Sequence, residues 1–201
     1  MPKFTEQEKD AIRQSLLIKG KELFIKYGLV KTSIDEIVLA CGIAKGSFYK
    51  FFASKEELYY SILIHEENVR DQLLQELLRE DLPPKELISA FFHKSSQIVE
   101  DNPFLRLAFH DGEYERLIRK LPPQLIEAST KDNLQQGTYV IQSLMNRGII
   151  RKENPEIVVG IIQAILMLQL SRDKIGADIF PTIMNHIIGY VAEGLTRQDL
   201  L

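Results

Sequence analysis

Lys45, Lys50 and Lys55 fall with four aromatic rings inside eleven residues of the stretch KGSFYKFFASKEEL. Ammonium groups beside bare backbone are suited to gripping phosphate oxygens and donating to base edges, not to making or breaking bonds. Advancing about 100° per residue from Ala44 brings Ala44, Phe48, Phe51 and Phe52 onto one arc. Lys45, Gly46, Tyr49 and Lys50 take the opposite side, with Ser47 at the border. Gly46 costs about 1 kcal/mol relative to alanine in a helix interior, which is tolerable where something must approach the backbone. Lys55 stands at the first position of the next helix, where the dipole disfavours a cation unless an anion binds there. Together these residues make a phosphate-gripping surface.

A polar-faced helix this short does not hold alone, because nucleation is costly, so other elements must position it. The pattern is helical throughout, without alternating strand runs. Ser or Thr followed three places later by Glu occurs at Thr5–Glu8, Ser33–Glu36 and Ser54–Glu57, each a capping-box signal ahead of an apolar-periodic segment. These predict a first helix to about Tyr27, stopping at Gly28, with Ile12, Leu16, Leu23, Phe24 and Tyr27 on one stripe. A second, from Ser33 to Gly42, buries Ile34, Ile37 and Val38. The third covers 45–52, and the fourth runs from Ser54 past Glu76. Pro83-Pro84, Asn102-Pro103, Pro122-Pro123 and Asn154-Pro155 punctuate further helices, predicted over 84–101, 103–120, 123–147, 154–174 and 179–196. The expected fold is all-α, with about nine helices.

The 45% hydrophobic and 26% charged content fits a soluble globular protein. No run reaches the roughly 18 apolar residues of a membrane span, and MPKFTEQEKD lacks a signal-peptide core. The lone Cys41 excludes an internal disulfide and fits a reducing compartment; the expectation is a cytoplasmic protein with no membrane partner. Residues 1–60 carry ten Lys+Arg against eight Asp+Glu, whereas the remainder carries fifteen against twenty, giving the net charge of −3. A weakly basic head on an acidic body still permits a local anion-binding face, since fields are set within a Debye length of about 10 Å.

Helix, short glycine-containing turn and polar-faced helix is the helix-turn-helix plan, whose second helix enters the DNA major groove. The stretch IKGKELFIKYGLVKTSIDEIVLACGIAKGSFYKFFASKEELYYSIL closely resembles the N-terminal domain of the tetracycline-repressor (TetR) family of bacterial transcription regulators, over about residues 10–64. The resemblance implies an N-terminal three-helix domain over 1–55, joined by a long fourth helix to a helical ligand-binding and dimerisation domain over 56–201. It implies phosphate contacts at Thr32, Tyr49 and Lys55, and contacts to base edges or the adjoining backbone at Lys45, Gly46, Ser47 and Lys50. Lys50 replaces a frequent histidine of the family and Phe51 a frequent tyrosine, and Gly20 stands where alanine is usual, a sign of close helix packing.

From Ile157 to Leu170 only Gln163 and Gln169 are polar, and a helix apolar on nearly every side must be buried on nearly every side. With Ile183, Ile187, Ile188 and Val191 at helical spacing on the last helix, the economical solution is a two-fold homodimer. Its expected interface holds Ile161, Ile165, Leu168, Ile183, Ile187 and Val191; a fully internal central helix is the competing reading. The resemblance also implies a pocket for a small-molecule effector of unidentified chemistry, with Phe92, Phe109, His110, Tyr139, Gln142 and Gln163 as candidate lining. His65, His93, His110 and His186 are scattered, without HExxH or cysteine pairs, so neither an enzyme, a metal nor a cofactor is expected. The function expected is a transcription regulator, a repressor, that binds a near-palindromic double-stranded operator and is released by its effector. The alternative is a DNA-binding or architectural protein without small-molecule control.

Overall fold

The structure, a computed structural model, describes residues 4–109 and 113–197, and every regular element among them is helical. The order is α1 (Glu6–Lys31), α2 (Ile34–Cys41), α3 (Lys45–Phe48), α4 (Lys55–Glu67), α5 (Val69–Leu77), α6 (Pro84–Asp101), α7 (Pro103–Phe109), α8 (Glu113–Ile118), α9 (Pro123–Asn146), α10 (Pro155–Met167), α11 (Arg172–Ile175) and α12 (Phe180–Thr196). The all-α class expected from the sequence is the fold observed. The helix count is higher because three expected helices are subdivided. The fourth is interrupted at Asn68, the segment over 103–120 is described as α7 and α8, and α10 tightens into a 3-10 turn at Leu168–Ser171 before α11. Such tightening is a common way for a helix to end. Among the described residues no helix is long and apolar enough to cross a membrane.

Two compact units divide the chain. The first joins residues up to Val69 with Asp101–Leu121; the second joins Arg70–Glu100 with the segment from Pro122 onward. In the first, α1 breaks at Gly28, whose φ of 76° is open to glycine and strained for other residues. The helix stop expected at Gly28 therefore appears as a kink. Leu16, Phe24, Ile37, Phe48, Leu58, Tyr59 and Phe104 are fully buried, and the Tyr59 ring meets Phe24 at 4.9 Å and Phe104 at 4.7 Å between centroids. Gly20 lets α1 and α4 approach: a Cβ there would stand 2.9 Å from Leu58 Cδ2. Two clamps tie α7 and α8 into this unit. Glu66 Oε2 accepts from Lys21 Nζ and from Asn102 Nδ2, both at 2.6 Å, and Lys120 reaches Glu56 at 3.2 Å.

The second unit buries Leu77, Leu87, Phe92, Leu144, Val158, Ile165 and Ile188 in a common core. Pro84, Pro123 and Pro155 each sit in a first helical turn, as the proline pairs and Asn-Pro steps predicted. Asn154 caps α10, its side chain accepting from Glu156 N–H at 2.9 Å. Gly137 allows close packing of α9 on α10, since a Cβ there would lie 3.1 Å from Val159.

Candidate nucleic-acid interface

The site begins with α2. Ser33 caps it by a complete box: Ser33 Oγ accepts from Glu36 N–H, while Glu36 Oε2 accepts from Ser33 N–H at 2.8 Å. The Ser33 hydroxyl also donates to Glu36 Oε2 at 2.7 Å, and this bond first, with that from the Ser33 backbone N–H second, holds the Glu36 carboxyl below the usual carboxylate value. At the other end Gly42 is left-handed at φ 66°, and Ile43 N–H bonds back to Val38 C=O at 3.0 Å. This is the turn that aims the next helix.

A testable consequence follows for the cap. Ser33→Ala should lower the melting temperature by roughly 2–4 °C at neutral pH. The Glu36 carboxyl titrates lower in the folded chain than its ordinary 4.5. Its contribution is therefore present above that value and lost as pH falls through the folded-state pKa. The gap between variant and parent should close in that acid range, read from melts across pH.

α3 is four residues long, followed by tight bonds from Lys50 N–H to Ser47 C=O and from Phe51 N–H to Phe48 C=O. Phe48 and Phe52 are its anchors, 0% and 2% exposed, while Phe51 is half-buried. Opposite them Tyr49 is 52% exposed, its ring edge-on to Phe48 at 5.5 Å, and Lys45, Gly46 and Lys50 are exposed. Ser47 is half-buried. A Cβ at Gly46 would meet nothing within 4 Å, so the backbone there is open to an approaching surface. The structure thus brings Lys45, Gly46, Tyr49 and Lys50 onto one outward face.

Two residues depart from the contacts the resemblance implies. Thr32 is fully buried, and its hydroxyl donates to Gly28 C=O at 2.8 Å, so the side chain caps α1 rather than facing solvent. Lys55 Nζ donates to Leu29 C=O at 2.7 Å, Val30 C=O at 3.1 Å and Thr32 C=O at 2.7 Å. Its three donors are spent on the carbonyl end of α1, which answers the dipole problem at the start of α4 without a bound anion.

Sequence reasoning missed two partners. Asp35 Oδ2 accepts from Lys45 Nζ at 2.9 Å, between exposed side chains, and this hydrogen bond raises the lysine's pKa. Phe4 lies under the Lys50 ammonium, 5.0 Å from ring centroid to Nζ. Neither pairing has a local signal, because the partners are ten and forty-six positions apart.

The candidate pocket residues of the second unit have different surroundings. Phe92 is 1% exposed inside the second unit's core, where it meets Phe91. Tyr139 is 80% exposed, and Gln142, also exposed, donates to Asn146. The inner face of α9 is Ile141, Leu144 and Met145 instead. Gln163 is half-buried, Phe109 belongs to the first unit against Tyr114, and His110 lies outside the described residues. Among the described residues no group of three His, Cys, Asp or Glu is arranged to hold a metal ion.

The residues expected at a dimer interface lie partly inside their own unit. Ile165 is buried in its own unit's core, and Ile161, Leu168, Ile187 and Val191 pack against that core, with Ile183 half-buried. The outward stripe of α10 is Ile157, Gly160, Ala164 and Met167, with Ile157 and Met167 at 54% and 57% exposure. On α12 the exposed side carries His186 stacked on Tyr190.

A capped helix, a left-handed glycine turn and an anchored, outward-facing short helix define a helix-turn-helix protein. Residues 16–62 match the family described as bacterial regulatory proteins, tetR family. The match covers about a quarter of the chain, the part that holds the helix-turn-helix. It is 32% identical over 95 residues, 47% of its length, to YxaF of Bacillus subtilis, an uncharacterized HTH-type transcriptional regulator. It is 24% identical over 156 residues, 75% of its length, to a probable acrEF/envCD operon repressor of Escherichia coli. These matches span 50% of the first relative and 70% of the second. A TetR-family regulator from Syntrophomonas wolfei has the same fold, with a TM-score of 0.67 at 18% identity over 96% of this chain and 98% of that one.

Proposed function

We propose that this chain is a DNA-binding transcription regulator of the cytoplasm, a repressor rather than an enzyme. It binds a near-palindromic operator as a homodimer and leaves it when a small molecule binds. One observation carries the reading: Tyr49 and Lys50 face outward in the turn that ends α3, while Phe48 and Phe52 on either side of them are buried. A lysine there can donate to guanine O6 and N7, and Tyr49, Gly46 and Lys45 flank it for backbone contact. The operon repressor among the relatives supports the repressor assignment.

Selection of bound duplexes from a random pool tests this directly. The expected product is a near-palindrome with half-sites one or more helical turns apart, about 34–36 Å or a multiple. A pool that stays random overturns the reading.

The homodimer is supported by the stripe Ile157, Gly160, Ala164 and Met167, at spacings of three, four and three on α10. Small residues at its centre let two helices approach closely, and a second copy covers an apolar stripe symmetrically. Met167→Lys should weaken self-association about ten-fold by putting a charge on that stripe. Sedimentation equilibrium reads this, and an unchanged dimer places the interface elsewhere. The effector acts only through its different affinity for two dimer shapes. A panel of small molecules should include one that raises the melting temperature and frees the operator; none doing so favours a regulator without ligand control.

A further inference from the structure

The chain enters α1 through a complete capping box, with Thr5 N–H bonded to Glu8 Oε2 at 2.7 Å and Glu8 N–H to Thr5 Oγ1 at 3.2 Å. An apolar residue just ahead of such a cap commonly staples onto an apolar residue four positions into the helix. Here that position is Lys9, which pairs with Glu6 at 2.6 Å. Phe4 is therefore left without its usual local partner, while the cap fixes the direction from which it arrives. Its ring goes to the reading face, under the ammonium of Lys50 at 5.0 Å. The same two segments meet a second time, since the Arg13 guanidinium of α1 lies 5.0 Å from the ring of Phe52. Each segment thus contributes one cation and one ring to the other.

We propose that Phe4 is a positioning residue for base reading, holding the Lys50 ammonium where it meets the edge of its base. The inference rests on the DNA-binding reading above. The two exposed lysines of the face are held in chemically different ways. Asp35 takes a hydrogen bond from Lys45, so that lysine must give up a partner to reach a phosphate or base. A ring face attracts the ammonium through its quadrupole and takes none of its N–H donors in a conventional bond. Lys50 is thereby restrained, on an exposed side chain, without an acceptor's claim on its donors. Holding a flexible four-carbon side chain before binding reduces the entropy lost on contact. The gain falls on the base that Lys50 reads, which makes Phe4 a determinant of specificity without its touching that base.

The test is a double-substitution cycle on the full chain, with the duplex obtained by selection and a set changed one base pair at a time. Phe4→Ala should weaken binding to the selected duplex roughly two- to five-fold, the range of an exposed cation–ring contact. It should lose the same factor of discrimination at the base pair whose preference Lys50→Ala abolishes. Phe4→Trp should restore both, Phe4→Leu neither, and affinity for random duplex and the melting temperature should stay at parent values. In a Lys50→Ala background, Phe4→Ala should change nothing further. Equal effects in both backgrounds, or rescue by Phe4→Leu as good as by Phe4→Trp, would overturn the proposal and leave Phe4 as an apolar plug. If the parent chain enriches no duplex, the DNA-binding reading fails and this inference with it. Enrichment with an indifferent Phe4→Ala sinks the inference alone.

Discussion

Lys50→Ala should cost about 1–3 kcal/mol of binding to the preferred operator, the worth of one good base contact. The melting temperature should stay where it is, because Lys50 is exposed and takes no part in the packing that anchors α3. Phe48 and Phe52 remain inside, and the bonds from Phe51 and Phe52 N–H to Phe48 C=O are untouched. The loss should be confined to one base pair in each half-site. At that position the variant should accept all four pairs nearly alike, while preferences elsewhere survive. Loss of one charge also weakens binding to every duplex, and that part is recognised by its dependence on salt. Titrations of parent and variant against single-base-pair changes, at two salt concentrations, separate the two. A uniform loss at all positions would make Lys50 a phosphate contact instead.

Local signals were legible and non-local ones were not, and the boundary between them is physical. Thr5–Glu8 and Ser33–Glu36 form complete capping boxes, as their spacing predicted, because both partners lie within one turn. Ser54 caps α4, but the Glu57 carboxylate bonds to Ala53 N–H at 2.6 Å instead of closing the box on Ser54. The inward Phe48 and Phe52 and the outward Tyr49 follow from a helical phase that the tight turn after α3 continues, since a one-sided pattern has only one way to face a core. On α10 the phase is harder to read, for the converse reason. Ile157 to Leu170 is apolar nearly all round, so periodicity cannot phase it, and the outward stripe lies on 157, 160, 164 and 167 instead of 161, 165 and 168. Thr32 reads as a surface contact until α1 breaks at Gly28 and turns its hydroxyl back onto that carbonyl. Tyr139 and Gln142 were drawn to a pocket by type alone; three positions apart on α9, they share its outer side.

Lys55 tests that boundary most sharply, because one residue has two incompatible assignments. As a phosphate contact, Lys55→Ala would leave the melting temperature alone and flatten the salt dependence of DNA binding by about one counterion. The structure supports the opposite outcome. The ammonium bonds to Leu29, Val30 and Thr32 carbonyls, and Leu29 and Thr32 are 2% and 0% exposed, so water cannot freely replace it there. Hydrogen bonds to a charged group contribute more than neutral ones, and a buried carbonyl left unpaired costs about 1–3 kcal/mol. Lys55→Ala should therefore lower stability by about 2–3 kcal/mol, with the salt slope of the folded fraction unchanged. Lys55→Arg should recover part of the loss, since a guanidinium supplies donors but in a planar fork that fits three convergent carbonyls less well. Urea melts and salt titrations of the three proteins decide between the assignments. A flattened slope at parental stability would return Lys55 to the DNA, and would mean that its carbonyl bonds are given up when the operator arrives.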